Sequence, residues 1–394
     1  MLDDSLLDDP AALARADRDH ALLALAGAGA RVRTALRLAE PALAQLRPEG
    51  RPRAVLVAGH GAALTAGQVL GALAGGSILV HPLAAADALP SDPISAGFGW
   101  QLPGWAGPLD LVVAVSSTGV EDGLIRLVEQ AYARGCAIAV LAPEDRPLAE
   151  AAQQVRALPL PYVPAAIEEP TGPEPEADLP AEDPALFWAV LAPLLALADR
   201  IGVLRLGEGE LPGLADLLDE LAVGFRPDAA AYLNPAKGLA AQLADTVPLL
   251  WGEGEPAAVA AERFAAMLAD RAGSPAVTGR LPQALSSHRG MFTGRLGAGA
   301  DPDDFFRDRV DEAEALTLQV LLLRHTPQQP DSDPTEPAPA AHPVRRARRL
   351  AADHEVRLTE FAGTRPGQLA ALAELVVLTD FAAVYLGLAT GTEH

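Results

Sequence analysis

Leu109-Asp-Leu-Val-Val-Ala-Val115 runs directly into Ser116-Ser-Thr-Gly-Val120, and Asp122 to Arg134 follows with apolar residues at helical spacing. A continuous apolar run closed by small hydroxyl residues and glycine is the signature of a buried parallel strand meeting a turn and then a helix. Gly135 ends that helix, and Ala137-Ile-Ala-Val-Leu141 is the next strand. The same grammar precedes it. Arg53-Ala-Val-Leu-Val-Ala-Gly59 is a strand ending in glycine, Thr65 to Leu73 a helix, and Ser77-Ile-Leu-Val80 a strand. Strands alternating with helices predict an α/β fold with a doubly wound, mainly parallel sheet.

Working outward, Ala11 to Arg47 reads as two amphipathic helices. Pro164 to Pro184 is rich in Pro, Glu, Ala and Asp without periodicity, which predicts a linker. The second half repeats the α/β grammar. Thr246 to Trp251, Thr317 to Leu323 and Glu355 to Phe361 read as strands, while Ala185 to Asp199, Pro256 to Ala269 and Pro366 to Leu388 read as helices. Ile201 to Phe225 is expected to hold another helix, and Val344 to Asp353, with Arg345, Arg346, Arg348 and Arg349, reads as a surface helix. Two units of similar grammar suggest an internal duplication. The expected domains are 1–163 and 185–394, joined by a linker over 164–184, with a disordered insert near 327–343.

Composition narrows the function. The 394 residues, half of them hydrophobic, exclude disorder throughout and allow two or three cores. Cys136 is the sole cysteine, so neither a disulfide scaffold nor a four-cysteine zinc site can form. A net charge of −22 argues against a broad nucleic-acid surface and against anionic membranes. The start, Met1 to Pro10, is acidic and lacks the basic and apolar regions of a signal peptide. Leu186 to Ala198 is too short to span a bilayer, and Leu369 to Ala389 is interrupted by Glu374 and Asp380. A cytoplasmic protein is expected. Lys237 is the only lysine in a chain rich in Ala, Leu, Pro and Arg, as a GC-rich genome would write it.

Three places invite chemistry. Gly59-His-Gly61-Ala-Ala-Leu64 lies between a strand and a helix, where glycines let backbone approach an anion. It reads either as a tight structural turn or as a polar-ligand site. A dinucleotide fingerprint would need Gly or Ala where Leu64 stands and an acid where His81 and Pro82 stand, so no nicotinamide cofactor is expected. Ser116, Ser117, Thr118 and Gly119 would suit a phosphate, or would simply cap the helix. Asp270 and His288 are a candidate acid–base pair, although isolated acids and histidines are more often surface residues. No G-x-S-x-G, Walker A or H-E-x-x-H motif occurs, and the remaining histidines show no metal spacing.

These blocks, in this order, resemble the sugar isomerase (SIS) superfamily, and within it the bifunctional phosphoglucose/phosphomannose isomerases. Gly59-His-Gly-Ala-Ala63 stands where the family has Gly-Met-Gly-Gly-Ser, with both outer-turn glycines kept and the serine replaced by Ala63. Ser116-Ser-Thr-Gly-Val-Glu-Asp122 stands at the family's phosphate loop, Ser-Tyr-Ser-Gly-Asn-Thr-Glu, and the threonine has become Glu121, a residue expected to repel phosphate. Asn234-Pro-Ala-Lys237 matches in full. Within Ala269 to Ala276, Asp270 falls on the catalytic glutamate, and His288 falls on the catalytic histidine. Asp380-Phe-Ala-Ala-Val-Tyr-Leu386 resembles Asp-Trp-x-Ser-Val-Tyr-Leu, after which the family continues to a catalytic lysine beyond the last residue here, His394.

The resemblance implies two flavodoxin-like SIS domains, a homodimer whose histidine is contributed by the neighbouring subunit, and no metal or cofactor. It implies aldose–ketose isomerisation of glucose 6-phosphate or mannose 6-phosphate to fructose 6-phosphate. Asp270 would move a proton between C2 and C1, and His288 would open the ring. Ser116, Ser117, Thr118 and Gly119 would hold the phosphate, helped by Gly59 and Gly61. Asn234 to Lys237 are expected to fix the start of the second domain, although Lys237 could also touch substrate. The alternative is a non-catalytic sugar-phosphate-binding or regulatory protein, favoured by Ala63, Glu121 and the missing lysine.

Overall fold

A computed structural model describes residues 4–48, 50–88, 98–164, 182–294, 316–325 and 341–391. In chain order the elements are α1 (Asp4–Leu7), α2 (Pro10–Ala16), α3 (Ala21–Ala26), α4 (Ala28–Gln45), β1 (Ala54–Ala58), α5 (Ala62–Ala74), β2 (Leu79–Leu83), β3 (Asp87–Ala88), β4 (Phe98–Gly99), β5 (Asp110–Val115), α6 (Asp122–Ala133), β6 (Ala137–Ala142), α7 (Pro147–Gln154), β7 (Leu158–Pro161), α8 (Leu186–Arg200) and α9 (Glu210–Gly224). There follow α10 (Pro235–Leu243), β8 (Thr246–Glu253), α11 (Glu255–Ala272), β9 (Val277–Arg280), α12 (Ala284–Ser287), α13 (Arg289–Phe292), β10 (Thr317–His325), α14 (Ala341–Asp353), β11 (Arg357–Gly363) and α15 (Gln368–Thr390). The expected strands and helices are observed in order, the structure adds α1, α7, α10, α12, α13, β3, β4 and β9 to them, and some expectations are corrected. Ala11 to Arg47 forms three helices rather than two. Residues 341–343 of the expected insert begin α14, while 326–340 lie outside the described residues. The strand after α7 is not foretold by the sequence, because Pro159 and Pro161 break its pattern; β7 tolerates them as the outermost strand of its sheet.

The chain gathers into two compact units. One, here the β1 unit, is Gly27–Asp216; the other, the β8 unit, joins Met1–Ala26 to Leu217–His394. This grouping differs from the expected boundary at both ends. Helix α8 follows the linker but packs on α4 and α5 of the β1 unit. It is buried on almost all sides, so its sequence carries no face to say which sheet it covers. The chain start belongs instead to the β8 unit through Lys237. That side chain is 1% exposed, and its ammonium donates to the carbonyls of Leu7 (2.6 Å), Pro227 (2.6 Å) and Ala229 (2.8 Å).

In the β1 unit a five-stranded sheet runs in the order β2-β1-β5-β6-β7, every pair parallel. Strands β1 and β5 are buried along their whole length, as continuous apolar runs require. In the β8 unit the order is β11-β10-β8-β9, again all parallel. Both sheets place their first strand inside, the second on one side of it and the third on the other. The similar grammar of the two halves thus becomes a shared strand order.

Helix α15 is the core helix of the β8 unit. It is the one described helix long and apolar enough to cross a membrane, and it is packed inside the unit. Its interruption at Asp380 is answered by α11, where Arg263 donates to both carboxylate oxygens (3.0 and 2.7 Å). The two helices cross closely at Gly387, where an added Cβ would lie 1.9 Å from the carbonyl of Arg271. Asn234 caps α10 by accepting from Ala236 and Lys237, and Tyr385 donates to the carbonyl of Phe225 at 2.7 Å. Two of the sequence blocks that carry the resemblance, Asn234–Lys237 and Asp380–Leu386, therefore serve the interior of this unit. Lys237 is committed to three carbonyls and is not a substrate contact in this arrangement.

Candidate functional site

Open α/β sheets bind ligands beyond the carboxyl ends of the strands where strand order reverses. In the β1 unit that point lies between β1 and β5, and the two sequence-derived turns, Gly59–Gly61 and Ser116–Gly119, leave those two strands. The structure thus brings the six substrate-binding candidates to one sheet edge. Close contacts require the glycines. A Cβ on Gly59 would lie 2.5 Å from Ala63 Cβ and 2.8 Å from the carbonyl of Val115, and Gly119 has φ +73° beneath the stem of Arg146.

The anions at this edge are the protein's own side chains. Thr118 and Gly119 N–H donate to Ser116 Oγ at 3.1 and 2.6 Å. The Ser116 hydroxyl donates to Glu121 Oε2, and the Thr118 hydroxyl donates to Glu121 Oε1 at 2.9 Å. His60 Nε2 stands 3.5 Å from the same Oε1. Burial alone would raise the Glu121 carboxyl, but the bonds from His60, Ser116 and Thr118 outweigh it and hold it down at about 2. The hydrogen bond to Glu121 in turn raises His60 above its ordinary value, against its own burial. Ser117 is half-buried and is not one of the two hydroxyls on Glu121.

Glu182 does the same at the other turn. Both of its carboxylate oxygens accept the N–H of Ala62, at 2.9 Å each, at the first residue of α5. Gly61 makes room for it: with φ +50°, an added Cβ would lie 2.3 Å from Glu182 Oε1. Asp183 beside it pairs with Arg31 and accepts the N–H of Ala185. The sequence reads this turn as one where backbone can approach an anion or as a tight structural turn, and in the structure a side-chain carboxylate lies against it. The sequence does not reveal Glu182, which belongs to a Pro- and Glu-rich stretch with no pattern of its own, nor the part played by His60.

The two catalytic candidates lie in the β8 unit. Asp270 is on the last turn of α11, its side chain 48% exposed, with its Oδ2 2.9 Å from Arg271 Nε. His288 is buried, at the end of α12. Its Nδ1 accepts from Trp251 Nε1 at 2.9 Å. Indole N–H can only donate, so Nδ1 is unprotonated and the proton of the neutral ring is on Nε2. Burial lowers the histidine's pKa and favours that neutral form. The ring rests over Gly279 of β9, where a Cβ would come within 2.7 Å of its Cε1. No hydrogen bond or ion pair joins Asp270 to His288 among the described residues. The same residues hold no cluster of three or more His, Cys, Asp or Glu able to bind a metal.

Residues 233–393 match the family model of the bacterial phospho-glucose isomerase C-terminal SIS domain. This part of the chain is a phosphosugar isomerase-like SIS domain. No curated protein matches the chain. Among solved structures, a hypothetical protein from Thermus thermophilus aligns over 98% of this chain and 89% of its own, with TM-score 0.60 and 15% identity. The C-terminal domain of glucosamine-fructose-6-phosphate aminotransferase from Francisella tularensis aligns over 96% and 98%, with TM-score 0.57 and 8% identity. Glucosamine-6-phosphate deaminase from Thermotoga maritima aligns over 93% and 92%, with TM-score 0.55 and 11% identity. At these identities the likeness is one of fold, and it extends over both units. The α/β architecture expected from the sequence, parallel sheets flanked by helices, is the one observed.

Proposed function

We propose that the protein is a phosphosugar isomerase of the SIS type, interconverting glucose 6-phosphate or mannose 6-phosphate and fructose 6-phosphate. The match of residues 233–393 to an isomerase SIS domain carries this reading. Asp270 is the proposed base, taking the proton from C2 and returning it to C1, and its exposed carboxylate suits that task. His288 is the proposed ring-opening group. Its Nε2–H can donate a hydrogen bond to the ring oxygen and so polarise it for opening, while Trp251 fixes the tautomer from the other side. Ser116, Ser117, Thr118 and Gly119, with Gly59 and Gly61, are the proposed phosphate cradle. The reaction redistributes hydrogens within one molecule and calls for no redox partner. Cytoplasmic location and a homodimer belong to the same proposal.

A second reading, a non-catalytic sugar-phosphate-binding or regulatory protein, is favoured by Glu121 in the loop. A coupled assay for fructose 6-phosphate decides between them. The isomerase reading expects turnover of glucose 6-phosphate or mannose 6-phosphate that falls at least about 100-fold in Asp270→Asn. Binding of either sugar phosphate without turnover would move the protein to the second reading. The absence of both would remove both.

A further inference from the structure

We infer that Glu121 is an internal competitor for phosphate and sets the anion affinity of the Ser116–Gly119 loop. The inference rests on the proposed role of that loop as a phosphate cradle. Its basis is where the loop's donors point. A phosphoryl group entering the loop would take the hydroxyls of Ser116 and Thr118 and the positive edge of His60. All three now face Glu121: Ser116 through Oε2, Thr118 through Oε1 at 2.9 Å, and His60 Nε2 at 3.5 Å from that same Oε1. The two carboxylate oxygens thus stand where two phosphoryl oxygens would stand. The peptide N–H groups of Thr118 and Gly119 are bound to Ser116 Oγ and complete the arrangement from inside.

The position of the residue explains how it reaches the loop. Glu121 is the N-cap residue of α6 with an extended backbone (φ −72°, ψ 106°), and its side chain folds back over the turn that precedes it. Threonine at this position carries no second charge into the loop and is too short to bridge both hydroxyls. Glu182, on the N–H of Ala62, shows independently that this unit satisfies its free helix-start donors with its own carboxylates. A phosphate monoester must displace Glu121 or bind beside its negative charge. A neutral sugar hydroxyl faces no such repulsion and can donate to it. The loop of the unaltered protein should therefore hold dianions more weakly than the same loop without Glu121, and that difference resides in one carboxylate.

The test measures binding rather than turnover. Inorganic phosphate, and separately fructose 6-phosphate, is titrated calorimetrically at low salt into the full-length protein and its Glu121→Gln and Glu121→Thr variants. Removing one like charge at contact distance should tighten the Kd for phosphate by about 100-fold or more in both variants. Glu121→Asp, which keeps the charge, should stay weak. Adding Ser116→Ala and Thr118→Val to Glu121→Gln should abolish the gain, locating it in the loop. Glutamine has the shape of glutamate, and circular dichroism checks that each variant is folded. Equal phosphate affinity in the unaltered protein and both variants overturns the inference, as does a gain that survives loss of the two hydroxyls. The isomerase reading stands or falls separately. Turnover without an affinity gain leaves it standing and sinks Glu121 as competitor, while an affinity gain without turnover does the reverse.

Discussion

At the carboxyl ends of β1 and β5, two carboxylates rest on hydroxyl and N–H donors, with His60 beside one of them. Glu121 sits on the hydroxyls of Ser116 and Thr118, and Glu182 on the N–H of Ala62. At the corresponding ends of β8 and β10 the carboxylates rest on arginines. Arg324 donates to Glu253 at 2.7 Å and reaches Glu360 at 3.4 Å, and Arg348 donates to Glu360 at 2.8 Å. The strand order around the two places is the same, so topology supplies a crevice in both units and side-chain chemistry decides what it is for. In the β8 unit the charges neutralise one another, and an incoming anion would have to break ion pairs. In the β1 unit the hydroxyl and N–H partners are neutral and only His60 can carry a positive charge, so the neutral donors can pass to another anion once the carboxylate moves. The difference makes the β1 unit's edge the one at which the proposed exchange of anions is to be tested.

The largest effect expected from this comparison is on acid stability. The Glu121 carboxyl falls from an ordinary 4.5 to about 2 in the folded protein. Its contribution is therefore fully present above about pH 4.5 and is lost as pH falls through about 2. A drop of that size corresponds to about 3 kcal/mol. In urea denaturation, the unaltered protein should exceed Glu121→Gln by roughly this amount at pH 6 and by about half of it at pH 3. A gap that does not change with pH would mean that the carboxylate is not held by these donors. Arg324→Met probes the other edge. It strips one cationic partner from each of Glu253 and Glu360, whose side chains are 14% and 20% exposed. The expected loss is about 2 kcal/mol of stability, with no gain in phosphate affinity. If phosphate affinity rose as in the Glu121 variants, the two edges would not differ as described.

The β1 side of this contrast is partly legible in the sequence, the ion pairs of the β8 side are not, and the limits are physical. Strands β1, β5 and β6 announce themselves because fully buried parallel strands must be continuous apolar runs, and Gly59, Gly61, Ser116 and Gly119 mark where they end. That both turns offer donors to an anion is readable from local chemistry, and the carboxylates seen against them are those of Glu121 and Glu182. The identity of the second anion is not readable, because Glu182 is 120 residues from its partner and no local period encodes such a contact. Lys237 stands out as the single lysine. Its work on the carbonyl of Leu7, 230 residues away, is equally invisible without the fold. His288 can be picked out, but the indole of Trp251 that fixes its tautomer lies on a strand that reads only as apolar filling.

Smaller effects sharpen the β1 side of the comparison. Gly61→Ala forces a Cβ against Glu182 at a backbone angle that L side chains rarely adopt. It should cost about 1–2 kcal/mol. Part of that cost is the clash, so Glu182→Ala introduced together with it should recover some of the loss, leaving the backbone strain. Strict additivity of the two substitutions in a double-mutant cycle would show that Glu182 does not occupy the turn.

The smallest effect reports most directly on the loop. His60 titrates above its ordinary value of 6.5, chiefly through its hydrogen bond to Glu121. A group raised on folding contributes fully below its unfolded pKa and loses that contribution as pH rises through the folded one. The unaltered protein should therefore lose a little stability from neutral to mildly alkaline pH, and His60→Gln should not. The side chain is 41% exposed, so solvent screening keeps the change small in denaturation. NMR titration resolves it better, with the His60 resonance assigned by its loss in His60→Gln. Its midpoint should lie above 6.5 and return toward that value in Glu121→Gln. The same titration in Glu121→Gln with saturating phosphate should drive the midpoint up again, since a phosphate dianion would then take the place of the carboxylate beside the ring. A midpoint indifferent to residue 121 would separate His60 from the carboxylate and leave the hydroxyls alone to hold it.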